Sequence, residues 1–104
     1  MRLDFEKIAY LEAAGGGESI VVLDDVHHQV DLTLNKFMDI LPDNFFRISK
    51  SNIVNTKRVS SINKGDRTVS IIREPKNKEL GISDTYYNEF LKKLPMAKDR
   101  LSGK

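Results

Sequence analysis

The chain of 104 residues contains no cysteine. A disulfide framework and a thiolate metal site are therefore both excluded. No apolar run approaches the roughly 18 residues that a membrane-spanning helix needs, and no signal-peptide pattern opens the sequence. The composition is 39% hydrophobic and 31% charged, which is typical of a folded soluble protein of one domain. These features are compatible with the cytoplasmic location that we expect.

Sequence patterns of known catalytic and metal sites are also missing. There is no Gly-x-Ser-x-Gly elbow, and the glycine run at residues 15–17 precedes a predicted strand, which a phosphate-binding loop would not do. His27 and His28 are neighbours on an alternating segment, so their side chains should face opposite sides and cannot bind one ion together. We expect His28 to face the core and His27 the solvent. The sequence thus predicts no enzyme, no metal site and no cofactor.

Positive charge is concentrated in the middle of the chain. Residues 1–46 carry a net charge of −6, residues 47–78 carry +7 and residues 79–104 carry +1. Such segregation can produce one basic face on a nearly neutral protein, and a basic face attracts nucleic acid. The alternative is that the strands distribute these cations over different sides. We favour the shared face.

The hydrophobic pattern predicts a mainly β fold. Short apolar or alternating segments bounded by turn residues predict strands at 7–13, 19–23, 26–32, 45–48, 59–62, 68–72 and 79–82. The predicted turn at residues 63–66 would join two of them as a hairpin. The side chains expected in the core are Phe37, Met38, Leu41, Phe46, Ile53, Val54, Val69, Ile71, Phe90 and Leu91.

Two segments have the period of a helix. The first carries one apolar stripe with spacing i, i+3, i+4 and i+7, formed by Leu34, Phe37, Met38 and Leu41. Asp31 or Thr33 can cap its start. The second carries the stripe Tyr87, Phe90, Leu91 and Leu94, with Ser83 as the N-cap. We expect one domain over residues 1–95 and a flexible tail at residues 96–104.

The chain is organised around residues 45–55, where two apolar pairs flank a polar, basic segment. Buried flanks would hold the segment between them as an exposed loop. That loop offers cations and short hydrogen-bonding side chains but no carboxylate: Arg47, Ser49, Lys50, Ser51 and Asn52. This chemistry suits an anion, and the phosphate backbone of a nucleic acid suits it best. The alternative is an ordinary solvated loop between two strands.

The same stretch resembles the central signature of the LytTR family, the mostly β DNA-binding domain of bacterial response regulators. The pattern Phe-x-Arg-x-x-x-Ser-x-x-Val-Asn is carried by Phe45, Arg47, Ser51, Val54 and Asn55. Residues 8–13 are similar to the opening strand of the family. Residues 81–83, followed by Tyr86, resemble its closing Ser-x-x-Tyr segment. The resemblance runs from about residue 3 to residue 94.

The resemblance implies an elongated arrangement of small antiparallel sheets, with about ten strands in three sheets, one short internal helix and a C-terminal helix. It implies sequence-dependent binding of double-stranded DNA by loops that enter successive major grooves. The domain would be the output domain of a bacterial transcriptional regulator in a two-component system. Its partners would be a receiver domain upstream or a separate regulatory protein, and a second copy on direct repeats. The rival hypothesis is a β-rich protein-interaction module with weakened DNA readout.

The resemblance also suggests roles for particular residues. Lys50 would reach base edges and Ser51 would contact phosphate, whereas Arg47 would either bind DNA or pair with an acid inside the fold. The remaining candidates for DNA contact are Ser49, Asn52, Glu18, Ser19, Ser83 and Thr85. Asn55 is expected to be structural, satisfying backbone groups at a turn.

The sequence departs from the family pattern at three readout positions. Ser49 stands where the family commonly has histidine, and residues 15–18 offer glycines and Glu18 where some members have a basic residue. Asp84 and Thr85 stand where an arginine is often found. We therefore expect the docking surface to be retained, but the base preference of the family cannot be transferred.

Overall fold

The structure, a computed structural model, describes residues 4–94. Eight strands and two α-helices lie within them, together with single 3-10 turns at Phe5–Lys7 and Thr56–Arg58. The strands are β1 (Tyr10–Gly15), β2 (Glu18–Val22), β3 (His27–Val30), β4 (Phe45–Ser49), β5 (Asn52–Asn55), β6 (Val59–Asn63), β7 (Thr68–Ile71) and β8 (Lys78–Gly81). The helices are α1 (Leu34–Ile40) and α2 (Asp84–Lys92).

Five strands form the larger sheet, in the order β3-β2-β1-β5-β4. All the pairings are antiparallel, and β1 lies in the centre, with Tyr10 opposite both Val22 and Val54. The tight connection from β1 to β2 uses glycines at φ angles of 61° and 81° at residues 16 and 17. Glycine has no Cβ and adopts such angles at little steric cost, so the glycine run allows this hairpin to close.

Three strands form the smaller sheet, in the order β6-β7-β8. Asn63 lies opposite Thr68 and Thr68 opposite Gly81, so the β6–β7 turn and the end of β8 lie together. Within this turn Arg67 has a φ of 54°, in the left-handed region. That conformation is unusual for a residue with a long side chain.

The two faces of the larger sheet are buried against different layers. Alternation along the central strands directs Leu11, Val21 and Ile53 into a cluster with Leu34 and Phe37 of α1. The residues between them on these strands point the other way, into a second cluster shared with the smaller sheet and α2; its members include Tyr10, Val22, Val54, Val69, Ile71 and Phe90. The larger sheet is therefore the middle layer, which explains why its strands are apolar on both faces.

The helices begin where the sequence predicts. Thr33 caps α1, its Oγ1 accepting a hydrogen bond from the Lys36 amide at 3.2 Å. Ser83 occupies the N-cap position of α2 without a side-chain cap. Its backbone amide instead donates to the Ile48 carbonyl at 2.9 Å. This bond attaches the start of α2 to the end of β4.

Asn55 has the structural role that was expected of it. It is buried, and its Nδ2 donates to the Ile8 carbonyl at 2.9 Å. Its Oδ1 accepts from the Lys57 amide at 2.9 Å and from Asn44 Nδ2 at 2.8 Å. These bonds turn the chain from β5 into the 3-10 turn that leads to the smaller sheet.

The expected mainly β architecture with two helices is confirmed, and the described residues extend over 41 × 29 × 22 Å. The counts differ from those expected: residues 4–94 form eight strands in two sheets, whereas about ten strands in three sheets were expected. The predicted first strand begins late, at Tyr10, since the Asp4 carboxylate accepts from the Glu6 amide and stabilises a 3-10 turn. The predicted tail at residues 96–104 lies outside the described residues.

Six of the ten expected core residues are buried, and Leu41, Phe46 and Leu91 are half-buried. Met38 is exposed, with 37% of its surface accessible. The seven-residue helix α1 buries only Leu34 and Phe37, so its stripe is narrower than the periodicity suggested. On β3, His27 is exposed and His28 is half-buried, as the alternation predicts.

Candidate nucleic-acid interface

Antiparallel register brings two turns of the larger sheet to the same end. Glu12, near the end of β1, lies opposite Asn52 at the start of β5. The Ala13 amide donates to the Ser51 carbonyl at 2.8 Å, so the end of β1 is bonded directly to the β4–β5 turn. The central signature therefore lies beside the glycine turn.

The smaller sheet and α2 contribute to this end as well. The Ser83 amide is bonded to Ile48, and the Ile82 amide donates to the Arg67 carbonyl at 2.8 Å. The β6–β7 turn and the start of α2 are thereby held beside the β4–β5 turn. We call this combined surface, residues 15–18, 49–52, 64–67 and 83–85, the turn end.

Arg47 is committed to shaping the β4–β5 turn. Its Nε donates to the Ser49 carbonyl and one terminal nitrogen donates to the Lys50 carbonyl, both at 2.8 Å. The other terminal nitrogen donates to Asn35 Oδ1 of α1, also at 2.8 Å. The guanidinium thus binds two carbonyls and an amide, in place of the internal acid considered from the sequence.

Lys50 and Ser51 are exposed at the tip of this turn. Ser49 is half-buried, and its Oγ accepts a hydrogen bond from the Ser51 amide at 3.1 Å. Within residues 4–94 the Lys50 side chain has no hydrogen-bond or ion-pair partner, and its backbone is held from two sides, by Arg47 and by Ser49. A side chain on such a turn can reach into a groove with little loss of backbone freedom.

Three other candidates from the sequence have side chains bonded within the protein. Ser19 is fully buried and its Oγ donates to the Leu32 carbonyl at 2.6 Å, so the expectation that it contacts DNA is corrected. Asn52 is half-buried, and its Nδ2 donates to the Leu11 carbonyl at 3.2 Å. The Glu18 carboxylate accepts from Gln29 of the neighbouring strand.

The start of α2 carries Ser83, half-buried, and Thr85, exposed. Between them Asp84 forms an ion pair with Arg67 of the β6–β7 turn. The Arg67 guanidinium carbon also lies 4.5 Å from the centre of the Tyr87 ring. The sequence did not single out Arg67, because its partners lie 17 and more residues away along the chain.

The cations of the central segment are divided between two ends of the molecule. Lys50, Lys64 and Arg67 belong to the turn end. Arg47 binds the β4–β5 turn and so belongs with them. The other five lie at or beyond the opposite ends of the strands: Lys57, Arg58, Arg73, Lys76 and Lys78. The hypothesis of one shared basic face is therefore wrong. Because β6, β7 and β8 pair antiparallel, the residues that precede β6 and those between β7 and β8 lie at the end of the molecule opposite to the turn end.

At that opposite end two arginines are bound within the protein. Arg58 forms a 2.7 Å ion pair with Asp24, and Arg73 donates to the Asp24 carbonyl at 2.6 Å. The hydrogen bond from Arg58, together with one from the Glu74 amide, lowers the pKa of Asp24. These cations connect the two sheets.

Two small antiparallel sheets that present a set of exposed polar turns at one end, with Lys50, Lys64 and Arg67 among them, define a mainly β domain. The chain belongs to the LytTr DNA-binding domain family, whose model matches residues 1–95. This is a family of DNA-binding domains rather than a catalytic one, and the resemblance noted in the sequence is confirmed.

A solved structure supports the same assignment. The chain is similar to the LytTr DNA-binding domain of a Bacillus cereus protein named as a methyl-accepting/DNA response regulator, with a TM-score of 0.77 and 26% identity. The match covers 92% of this chain and 88% of that one. A comparison with curated proteins found no match. Within residues 4–94, no helix is long and apolar enough to cross a membrane, and no three potential metal ligands cluster.

Proposed function

We propose that the turn end binds double-stranded DNA in the major groove, with the β4–β5 turn as the main reading element. The observation that carries this proposal is the exposed Lys50 on a turn that Arg47 holds through two backbone carbonyls. A lysine can donate to O6 and N7 of guanine. Ser51 beside it is exposed and suits a phosphate oxygen. Ser83, whose amide is bonded to Ile48, and Thr85 two residues further on would extend the contact along the duplex.

The biological role that fits this activity is that of an output domain in a bacterial, cytoplasmic transcriptional regulator. The family assignment and the response-regulator name of the Bacillus cereus relative support it. A receiver domain or separate regulatory protein would then control DNA binding, and two copies would pair on direct repeats. No bound cofactor is required for this function, because the contacts come from side chains and backbone amides.

The test begins with duplexes selected from a random pool by the wild-type protein. We expect binding to random DNA to fall steeply as salt rises, because phosphate contacts release counterions. Lys50→Ala should lower the preference for a selected site over random DNA by about 1–3 kcal/mol. A protein-interaction module would show almost no binding to either DNA, and this result would favour the rival hypothesis.

Lys76→Ala is the matched control, because it removes the same charge from the end opposite to the turn end. If Lys76 touched phosphate, its loss would weaken binding to all DNA alike and lower the salt slope by about one. Because Lys76 lies at the opposite end, we expect little change in either quantity. If Lys50→Ala weakens binding to selected and random DNA by the same factor, Lys50 is only a phosphate contact and the proposed base readout is wrong.

A further inference from the structure

Arg67 and Asp84 form a fixed pair at the turn end. The guanidinium contacts the Asp84 carboxylate on one side and the face of the Tyr87 ring on another. Both members remain open to solvent, with 47% of the Arg67 side chain and 88% of the Asp84 side chain exposed. Tyr87 and Asp84 both belong to α2, so a regular helix sets the position of an arginine that comes from a turn.

Stability alone is a weak explanation for this arrangement. An exposed ion pair contributes little to folding, because water screens it and two side chains lose freedom. The backbone of Arg67 has a φ of 54°, where glycine would avoid the Cβ clash. An unfavourable backbone conformation held by its surroundings is characteristic of functional positions. The side chain of Arg67 is therefore the feature that needs an explanation.

The chemistry of the Arg67–Asp84 ion pair suits a DNA base pair better than a phosphate group. A neutral pair has little attraction for a phosphate, and the exposed carboxylate of Asp84 repels one. In the major groove, however, guanine offers two acceptors to an arginine, and cytosine offers an amino donor to a carboxylate. A guanidinium and a carboxylate side by side match both halves of one G·C pair.

The position of the pair agrees with such a contact. Asp84 follows Ser83, whose amide is bonded to Ile48 in the strand that leads to Lys50. The pair and Lys50 therefore share the turn end, on neighbouring elements. We propose that Arg67 and Asp84 act as one unit that recognises a G·C base pair, separate from the base contacted by Lys50. This inference rests on the DNA binding proposed above.

The decisive variant is Arg67→Gly, since glycine suits the backbone at this position and leaves the fold intact. Each G·C pair of the selected site is replaced in turn by A·T, and the affinity of wild type and variant is measured for every duplex. For wild type we expect one G·C replacement near the Lys50-dependent position to cost about fivefold to 150-fold in affinity. Arg67→Gly should abolish that penalty and no other, with a melting temperature equal to or above that of wild type.

Two further variants separate the roles of charge and geometry. Arg67→Lys keeps the charge but loses the planar fork, so it should lose the same discrimination. Asp84→Asn should also weaken it, while raising affinity for random DNA because a repelling charge is removed. Lys76→Ala takes one cation from the end opposite to the turn end and should leave the discrimination at every position unchanged.

The inference is overturned if Arg67→Gly weakens the site and all its replaced forms by one factor, or changes none of them. If Lys50→Ala still behaves as expected, only the reading by Arg67 and Asp84 is wrong and the proposed function stands. If wild type binds no DNA in a salt-dependent way, the proposed function fails and this inference fails with it.

Discussion

Arg47 is a candidate DNA contact from the sequence, but its hydrogen bonds predict an indirect role. Its three donors bind the Ser49 carbonyl, the Lys50 carbonyl and Asn35, each at 2.8 Å. Replacing Arg47 by alanine removes all three bonds. Because the sites are partly open to water, each bond should contribute near the usual net value of about 0.5–1.5 kcal/mol. We therefore expect Arg47→Ala to lower the free energy of unfolding by about 2–3 kcal/mol.

Urea denaturation and thermal melting measure this loss directly. For a domain of this size, about 2 kcal/mol corresponds to a melting temperature lower by roughly 8–16 °C. The affinity for a selected DNA site should also fall, because the Lys50 turn loses its support. The salt slope should nevertheless stay close to that of wild type, since no phosphate contact disappears.

Arg47→Lys is the informative control. Lysine keeps the positive charge but cannot donate in three fixed directions, so it should restore little of the stability. A double-mutant cycle with Asn35→Ala isolates the bond to α1, for which we expect a coupling of about 0.5–1.5 kcal/mol. The reasoning is refuted if Arg47→Ala leaves stability unchanged and lowers the salt slope by about one, as the loss of a direct phosphate contact would.

Three further predictions concern the rest of the molecule. Phe46→Ala should lower the free energy of unfolding by about 3–5 kcal/mol in urea denaturation, because Phe46 stacks on Phe90 at 5.6 Å between ring centres. The hydrogen bond from Arg58 is the main cause of the lowered pKa of Asp24. The free energy of unfolding of wild type should therefore exceed that of Asp24→Asn by its full margin above pH 3.8, and this margin should decline as the pH falls below that value. A margin that does not change with pH would contradict this. Zinc should neither bind tightly nor stabilise the protein, since the two neighbouring histidines of β3 face opposite sides, and a stoichiometric micromolar site in calorimetric titration would disprove this.

Much of the local structure can be read from the sequence. The strands and helices follow from the period of the apolar residues, because burial of one face recurs every second residue in a strand and every three to four in a helix. Capping of α1 by Thr33 and the closing of the glycine hairpin depend on residues within a few positions. The family signature is likewise a local pattern, which explains why it was recognisable without any structure.

The roles of individual side chains at the binding surface required the tertiary structure. Ser19 is buried because β3 and the chain after it cover its hydroxyl, 13 residues further along. Arg47 is engaged by Asn35 of α1 and by carbonyls of its own turn, which no periodicity indicates.

The distribution of charge is also decided by the tertiary structure. The sequence determined that the central segment is basic, but strand register divided its cations between the two ends of the sheets. The same register placed Arg67 beside Asp84 and Tyr87 of α2. A sequence pattern shows which residues are buried or exposed, because that depends on the local element. It does not show which exposed side chains meet, because their distance depends on how separate elements pair and pack.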